Sequence, residues 1–243
     1  MQRILAFRYR GAVPDDWRSP LDELPYLDTM TDDEVRRLVQ LARMFESVVS
    51  FDGRHGFDVT DRVRRLICLE ACRLVLALGY EPYRYVHRVT VAETTFVVET
   101  REGAMRVRGA AQHGGHVALS WSESEHGIAR DDDGRNVIYH EFAHVLDGYD
   151  GVVDGRPDLD DAAADAAWDE AAGRSYRRLR KARGRRRRQM LIDKYGATSP
   201  VEFFSEATEV FFERPVALRD RDPHLYEAMA GYFEQDPATR RSG

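Results

Sequence analysis

The sequence NVIYHEFAHVLDGYDG, from Asn136 to Gly151, contains the spacing H-E-x-x-H at His140, Glu141 and His144. On an α-helix successive side chains are about 100° apart, so the two histidines lie one turn apart and both imidazoles can reach one metal ion. The glutamate lies beside them, where its carboxylate can take a proton from a zinc-bound water as that water attacks a carbonyl group. This pattern predicts one zinc ion per chain and hydrolysis by a general base.

The alternative interpretation of this segment is a helix whose two histidines are solvated or hydrogen-bonded. Val137, Ile138 and Val145 indicate that the helix packs against a core. Two histidines without partners would be unfavourable there, because a buried polar group needs a hydrogen bond or a metal. Zinc is therefore the preferred interpretation.

A catalytic zinc site uses three protein ligands and keeps one position open. The best candidates for the third ligand lie in SPVEFFSEATEVFFERP (199–215), where Glu202, Glu206 and Glu209 follow the spacing i, i+4, i+7 on one helix face. Periodicity does not choose among the three, and a solvated acidic stripe is the alternative. Glu202 lies in the first turn, behind the start signal Ser199-Pro200, and this position favours it. Another of the three could then accept a hydrogen bond from a ligand histidine.

Other acids and histidines near this motif are weaker candidates. Asp147 lies on the same face as His140, but it is two turns further along the helix, so a capping or supporting role is expected. The run 147–160 lacks the alternating acids of a calcium loop and is interpreted as a turn. His113 and His116, in the sequence HGGH, could bind a metal, although a surface loop is the preferred interpretation.

The whole chain of 243 residues is long for one domain and short for two. We expect one domain over 1–243, with an N-terminal lobe over about 1–150 and a C-terminal lobe over about 151–243. The net charge of −6 gives no general attraction to nucleic acid or acidic membranes, and no apolar run approaches the ~20 residues of a membrane span. Neither nucleic acid nor a membrane is an expected partner.

Cys68 and Cys72 lie four residues apart in one predicted helix. Their Cβ atoms should be about 5–6 Å apart, beyond the roughly 3.5–4.5 Å of a disulfide. We therefore expect reduced core residues and a cytoplasmic protein.

The elements that position the motif begin with helices. Residues 1–30 are expected to be irregular because three prolines interrupt them. Thr31 and Glu34 form a capping box at the start of a helix, and a second helix is predicted from about Thr60 to Gly79. The helix that carries the motif is predicted over about Asn136–Asp147.

Between these helices, segments rich in β-branched and aromatic residues predict a small, largely antiparallel sheet. The segments are YVHRVTV (85–91), TTFVVET (94–100), AMRVRGA (104–110) and HVALSW (116–121). Glu102-Gly103 is the expected hairpin turn. HVALSW is expected to form the edge of the substrate cleft and to pair there with an extended substrate.

The C-terminal lobe is predicted to be helical. A charged helix is expected over about 160–183, a second starts at Ser199-Pro200, and a short one lies around Pro223–Gln235. The run RSYRRLRKARGRRRR (174–188) holds ten basic residues, and 154–170 holds seven acids and one arginine. Acids at a helix start and bases at its end complement the helix dipole, so a solvated, polarised helix is the preferred interpretation. A docking surface for nucleic acid or an acidic partner is the alternative.

Several of these segments together resemble the Mlc titration factor A family of zinc peptidases. The similarity spans about Asp15 to Pro237 and rests on LDELPYLDTMTDDEVRRL, GFDVTDRVRRLICLEACRLVLALG, VALSW, NVIYHEFAHVLD, DGRPDL, KYGATSPVEFFSEATEVFFERP and YFEQDPATR. The resemblance implies an α+β, zincin-like fold and a gluzincin-like zinc aminopeptidase, with kinship in fold to anthrax lethal factor. Enterobacterial members of the family also bind the glucose repressor Mlc.

The resemblance also implies roles for particular residues: zinc ligands at His140, His144 and Glu202, a general base at Glu141 and a catalytic tyrosine at Tyr195. Tyr195 stands in the loop before the ligand helix, where a phenol can donate a hydrogen bond to a developing oxyanion. From the residues alone, an aromatic that only packs against the helix start is an equal alternative.

Two functions follow from these observations. The first is a zinc-dependent peptidase, aminopeptidase-like, that acts on peptide substrates. The second is a regulatory protein that sequesters a transcription repressor, with catalysis incidental. The chain differs from enterobacterial members in having AETT in place of Tyr-Pro between Val91 and Phe96, and in its arginine-rich 174–188. A complete set of base, ligands and tyrosine favours the enzyme, since a binding protein has no need of Glu141.

Overall fold

The computed structural model describes residues 12–100, 103–112, 114–159 and 162–240. The chain divides into two compact units. The first holds residues up to 130 together with Asn136–Phe142, and the second holds Asp131–Arg135 and the residues from Ala143 onward. The boundary falls inside one helix, and the expectation of a single domain stays a prediction.

The helices of the first unit are α1 (Asp15–Asp22), α2 (Asp32–Val48), α3 (Asp61–Leu74) and α4 (Trp121–Ala129). The predicted capping box at the start of α2 is confirmed, because both of its hydrogen bonds are present. α3 begins at the predicted Thr60 cap but ends at Leu74, before the predicted end at Gly79. Among the described residues, no helix is both long and apolar enough to cross a membrane.

The expectation of an irregular start is wrong over α1, which forms although Pro20 lies inside it. Trp17 and Leu21 are almost completely buried on this short helix. Burial of these two large apolar side chains offsets the backbone hydrogen bond that proline removes.

The sheet of the first unit has four strands in the order β1–β2–β6–β5. These are β1 (Ser50–Gly53), β2 (Arg88–Ala92), β6 (His116–Ser120) and β5 (Gly109–Gln112). β1, β2 and β6 run parallel to one another, whereas β5 pairs antiparallel with β6. The prediction of a largely antiparallel sheet is therefore wrong. α3 lies between β1 and β2 in the chain, and a connection through a helix lets the second strand run parallel to the first.

A separate antiparallel hairpin consists of β3 (Phe96–Thr100) and β4 (Gly103–Val107). Thr100 pairs with Gly103, which fits the predicted hairpin, although residues 101–102 of the expected turn lie outside the described residues. The prediction that HVALSW pairs with an extended substrate is wrong, because β6 is already paired on both sides, with β2 and with β5. The edge strands of this sheet are β1 and β5.

The core of the first unit holds the beginning of the motif helix, α5 (Val137–Asp147). The rings of Phe45, Tyr83 and Phe142 meet edge to face, with centroid distances of 5.1–5.7 Å. Cys68 and Cys72 are buried and free of a disulfide, as expected. Because Phe142 belongs to α5, this cluster fixes the helix against the first unit.

The second unit is helical, as predicted. Its helices are α6 (Ala162–Lys181), α7 (Gly184–Arg188), α8 (Pro200–Glu213), α9 (Pro215–Arg221), α10 (Pro223–Phe233) and α11 (Pro237–Arg240). Aromatic rings surround α8: Phe211 stacks on Phe233 at 5.5 Å, and Phe204 meets Trp168 edge to face at 5.6 Å. As a result α8 is buried continuously from Phe203 to Glu213.

Candidate metal centre

Asn136 fixes the start of α5. Its Oδ1 accepts hydrogen bonds from the backbone N–H groups of Ile138 and Tyr139, at 3.1 and 3.2 Å, which satisfies two of the free donors at the helix start. Its Nδ2 donates to Glu70 of α3 at 2.8 Å. Arg73, one turn after Glu70, donates to the hydroxyl of Tyr139 at 2.7 Å. Two buried charged residues of α3 therefore hold the first turn of the motif helix.

The three motif residues lie on the following turns of α5. His140 and Glu141 are buried, at 9% and 5% exposure, and His144 is partly exposed. Phe142 and Ala143, which lie between them in sequence, face the core and are completely buried. The boundary of the two units falls within α5, between Phe142 and Ala143. His140 and His144 nevertheless belong to the same helix, so helix geometry fixes their spacing at about one turn.

A carboxylate from α8 joins the two histidines. Ligand atoms of His140, His144 and Glu202 all lie within 4.8 Å of one another. Glu202 belongs to the first turn of α8, where its backbone N–H donates to the hydroxyl of Ser199 at 3.1 Å. Pro200 occupies the first turn, as the sequence predicts. These are the three residues that the sequence favours as ligands, and their role as ligands stays a prediction.

The surroundings of His144 include a residue that the sequence analysis does not select. Nε2 of His144 lies 3.7 Å from Oε2 of Glu202, and its Nδ1 lies 3.0 Å from the hydroxyl of Ser205. Ser205 follows Glu202 by three residues, so it shares a helix face with Glu202. That spacing is the signal that could have identified it. A hydroxyl at this distance can fix the orientation of the imidazole ring.

Glu206 and Glu209 are buried in α8, with 2% of each residue exposed. The alternative of a solvated acidic stripe is therefore wrong for these two glutamates. Their ligand atoms form a second group with His140, again within 4.8 Å of one another. Geometry alone thus offers two sets of three donors that share His140.

Asp147, at the end of α5, holds the loop that follows the helix; the expectation that it caps the helix is wrong, because the free groups at this helix end are carbonyls and a carboxylate only accepts hydrogen bonds. Its Oδ1 accepts backbone hydrogen bonds from Gly155 at 2.8 Å and from Arg156 at 3.0 Å. A Cβ added to Gly155 would lie 2.3 Å from the carbonyl oxygen of Pro200, so this loop packs directly on the first turn of α8. Asp147 therefore links the end of the motif helix to the start of the helix that carries Glu202. Burial raises the pKa of Asp147 to about 6, although the backbone donors oppose that shift.

Tyr195 lies in a short 3-10 helix, Lys194–Ala197, seven residues before Glu202. Its backbone N–H donates to the Asp193 side chain at 2.9 Å, and its carbonyl accepts from the hydroxyl of Thr198 at 2.6 Å. These bonds fix the backbone of the turn, while the residue itself is 40% exposed. The structure therefore places Tyr195 on a fixed turn before the helix that carries Glu202.

Glu141 lies against β5, one of the two edge strands of the four-stranded sheet. A Cβ added to Gly109 of β5 would lie 2.5 Å from both Cγ and Oε1 of Glu141. Only a residue without a side chain leaves room for the carboxylate in this position. No sequence pattern identifies Gly109, because only folding brings β5 next to α5.

The other candidate metal residues lie elsewhere. His116 begins β6, where its Nε2 is 2.7 Å from the hydroxyl of Thr90 on the neighbouring strand. Burial and the nearby Arg88 lower the pKa of His116. His116 thus starts the strand predicted over 116–121, and His113 lies outside the described residues.

The donors of the first group fit a metal ion by their chemistry. Two imidazole nitrogens and one carboxylate oxygen are a frequent protein set at catalytic zinc sites, which keep a fourth position open. Ser205 supplies the outer hydrogen bond that such histidines commonly make. Glu141 lies next to His140 in sequence without being part of either group of donors.

A motif helix with H-E-x-x-H and a carboxylate on a second helix is the arrangement of a class of metallopeptidases. The chain belongs to the family described as "Glucose-regulated metallo-peptidase M90", whose model matches residues 2–234.

Individual relatives are similar over most of their length. An uncharacterized protein of Synechocystis sp. is 30% identical over 240 residues, which cover 94% of this chain and 87% of the relative. A protein of Enterobacter sp. named Mlc titration factor A is 29% identical, over 91% of this chain and 88% of its own length. A protein of the same name from Klebsiella pneumoniae is 28% identical, over 95% and 89%. The resemblance to the Mlc titration factor A family is thereby confirmed.

Proposed function

We propose that this protein is a zinc-dependent peptidase that acts on peptide substrates. One observation carries the proposal: His140, His144 and Glu202 offer three ligand atoms within 4.8 Å of one another, and the helix of the two histidines also presents Glu141. A zinc ion held by these three residues would lower the pKa of a water molecule to about 7 and polarise the substrate carbonyl. The protein's own side chains then supply the proton transfers and the positioning.

Glu141 is the proposed general base. Its carboxylate takes a proton from the attacking water as the new C–O bond forms, and it later passes that proton to the nitrogen of the leaving amine. Its buried position beside Gly109 restricts its rotamers and keeps bulk water away from the proton. Tyr195 is the proposed donor of a hydrogen bond to the developing oxyanion.

The proposed activity is aminopeptidase-like and cytoplasmic. The family resemblance supports the first part, and two buried cysteines without a disulfide support the second. A substrate panel tests the aminopeptidase assignment: chromogenic amino-acid amides with a free α-amino group should be hydrolysed, whereas their N-acetylated forms should not. Equal rates on both forms would indicate a peptidase without a requirement for the free amine.

The decisive test of the enzyme compares wild type with Glu141→Gln, which removes the proton acceptor and nearly preserves the size of the side chain. Wild type should hold about one zinc per chain by elemental analysis and should lose amide hydrolysis to a chelator. Glu141→Gln should keep its zinc and lose on the order of 10²–10⁴-fold in turnover. If Glu141→Gln retained wild-type turnover, Glu141 would not be the base.

A second candidate function is regulation by sequestering a transcription repressor. The observation that favours it is the name Mlc titration factor A carried by relatives that are 28–29% identical. Glu141→Gln separates the two functions. A regulator should bind the repressor equally well with this substitution, and its wild type should hydrolyse none of the amides.

A further inference from the structure

A cavity of about 510 Å³ lies in the second unit, and neither the metal centre nor the proposed peptidase uses it. Its lining comes from the end of α6, from α7 and the segment after it, and from the end of α9. The lining residues that carry charge are Arg178, Lys181, Arg186, Arg221 and Asp222. This volume lies within the roughly 300–1,000 Å³ of small-molecule sites.

The floor of the cavity is apolar. It consists of Ala182, Met190, Leu191, Ile192 and Leu218. Ala182, Ile192 and Leu218 are buried, with 1–7% exposure, so they belong to the packed core of the unit. An added Cβ on Gly196 would approach the Cγ2 atom of Ile192 to 3.1 Å, so the floor is supported from behind. The cavity therefore offers a preformed apolar surface.

The rim of the cavity is cationic. Arg178 is paired with Asp222, which also accepts a hydrogen bond from Ser175, so these two charges compensate each other. Arg221 donates to the backbone carbonyl of Gln189 at 3.1 Å, which holds the guanidinium in place without neutralising it.

Lys181 and Arg186 complete the rim. Both are exposed, and within the described part of the chain neither makes an ion pair. Together with Arg221 they leave an excess of three positive charges beside the apolar floor. Within the described residues none of the three forms an ion pair, so a ligand of opposite charge would complement this rim.

We propose that this cavity binds a small amphipathic anion, with its apolar body on the floor and its head group against Lys181, Arg186 and Arg221. The head group is a carboxylate or a phosphate, because guanidinium groups form paired hydrogen bonds with both. Lys181 and Arg186 belong to the arginine-rich run 174–188, so part of this run forms a binding site. The position of the run at the end of α6 also complements the helix dipole. The site requires neither a metal ion nor peptidase activity.

Isothermal titration calorimetry on the whole chain of 243 residues tests the proposal with four probes, each kept below the concentration at which it aggregates. Decanoate and decyl phosphate carry both a negatively charged head group and an apolar body. Decanol lacks the charge, and acetate lacks the apolar body. At least one decyl anion should bind one to one, and decanol and acetate should bind at least tenfold more weakly. Shortening decanoate should weaken binding by about fourfold for each methylene removed. The better of the two decyl anions identifies the head group.

A matched pair of double variants tests the residues. Lys181→Glu with Arg186→Glu reverses two rim charges, whereas Arg180→Glu with Arg185→Glu makes the same change in net charge one residue earlier, outside the lining. The first pair should weaken the anion at least tenfold and the second less than threefold. Circular dichroism and thermal melting check that both variants are folded.

Three results would overturn the proposal. They are equal loss in both double variants, decanol binding as tightly as the anions, and no saturable binding of either decyl anion to wild type. The last two use the unmodified protein, so they stand even if a variant misfolds. If neither decyl anion bound but a glutamate-rich peptide did so through Lys181 and Arg186, the surface would be a protein-docking site instead.

Discussion

The hydroxyl of Ser205 lies 3.0 Å from Nδ1 of His144, so α8 supplies both a candidate metal ligand and the group that orients another one. A ligand histidine whose other nitrogen is held loses less freedom when it binds a metal, and its ring orientation is fixed beforehand. α8 therefore contributes a second residue, Ser205, to the proposed zinc site in addition to Glu202.

Ser205→Ala should weaken zinc binding by about 10–100-fold, because the imidazole of His144 loses its hydrogen-bond partner. Chelator competition measures the dissociation constant. Thr208→Val is the matched control: its hydroxyl lies on the same helix but bonds to the backbone carbonyl of Phe204 at 2.9 Å. Equal zinc affinities in wild type and Ser205→Ala would show that this contact does not support the metal.

The two groups of donors that share His140 make opposite predictions for the glutamates of α8. If zinc binds at His140, His144 and Glu202, then Glu202→Gln should weaken zinc far more than Glu206→Gln or Glu209→Gln. The amide is nearly the same size as the carboxylate, so the comparison reports charge and coordination more than packing. Should Glu206→Gln and Glu209→Gln lose the most affinity while Glu202→Gln stays close to wild type, the second group is the zinc site.

Changing Arg185 through Arg188 to serine should leave the turnover of amide substrates within a few-fold of wild type. All four belong to the short helix α7, and three of them are exposed; only Arg187 is partly buried. Arg187 also donates to the carbonyl of Lys194 at 3.2 Å, so a small loss of thermal stability is expected from that bond. A folded, zinc-loaded variant without turnover would instead place this run in the active site.

Asp147 should make the protein less stable as the pH rises from about 4 to 6. Burial raises the pKa of its carboxyl from 3.8 to about 6 in the folded protein, so over this range the folded state holds a proton that the unfolded state has released. The loss amounts to about 3 kcal/mol at most. Asp147→Asn cannot release a proton, and it should be close to wild type at pH 4 and more stable than wild type above pH 6.

Urea unfolding across this range of pH, with a chelator present, measures the difference between the two proteins. Asp150→Asn is the control, since Asp150 is exposed and also accepts a backbone hydrogen bond, from Val152 at 2.8 Å. The control should follow wild type at every pH. Parallel curves for wild type and Asp147→Asn would mean that Asp147 titrates normally.

Local sequence signals predicted the helices that carry the site. The cap at Ser199 with Pro200 behind it marks the start of α8, and the spacing of His140 and His144 puts both on one face of α5. Both signals depend on residues within one or two turns, where the geometry of a helix is fixed. The three proposed ligands could therefore be named before the fold was known.

Contacts between distant segments could not be predicted in this way. β1 pairs in parallel with β2, from Ser50 with Arg88 onward, and SFDG by itself has little strand preference. Glu70 meets Asn136 across 66 positions of sequence. Periodicity describes which face of an element is apolar, whereas strand direction and buried polar pairs depend on how separate elements pack.

Gly109→Ala should reduce turnover by about 10²-fold while zinc binding stays close to wild type. The added methyl group would lie 2.5 Å from Cγ and Oε1 of Glu141, so the proposed base must move, and displacements of about 1 Å at a catalytic group can have effects of this size. The helix that holds His140 and His144 is fixed elsewhere, by the Phe142 cluster and by Asn136. Ala110→Ser, one residue further along the same strand, should retain turnover within a few-fold. The measurements are kcat on an amide substrate and zinc content, and wild-type kcat in Gly109→Ala would mean that the position of Glu141 does not depend on this contact.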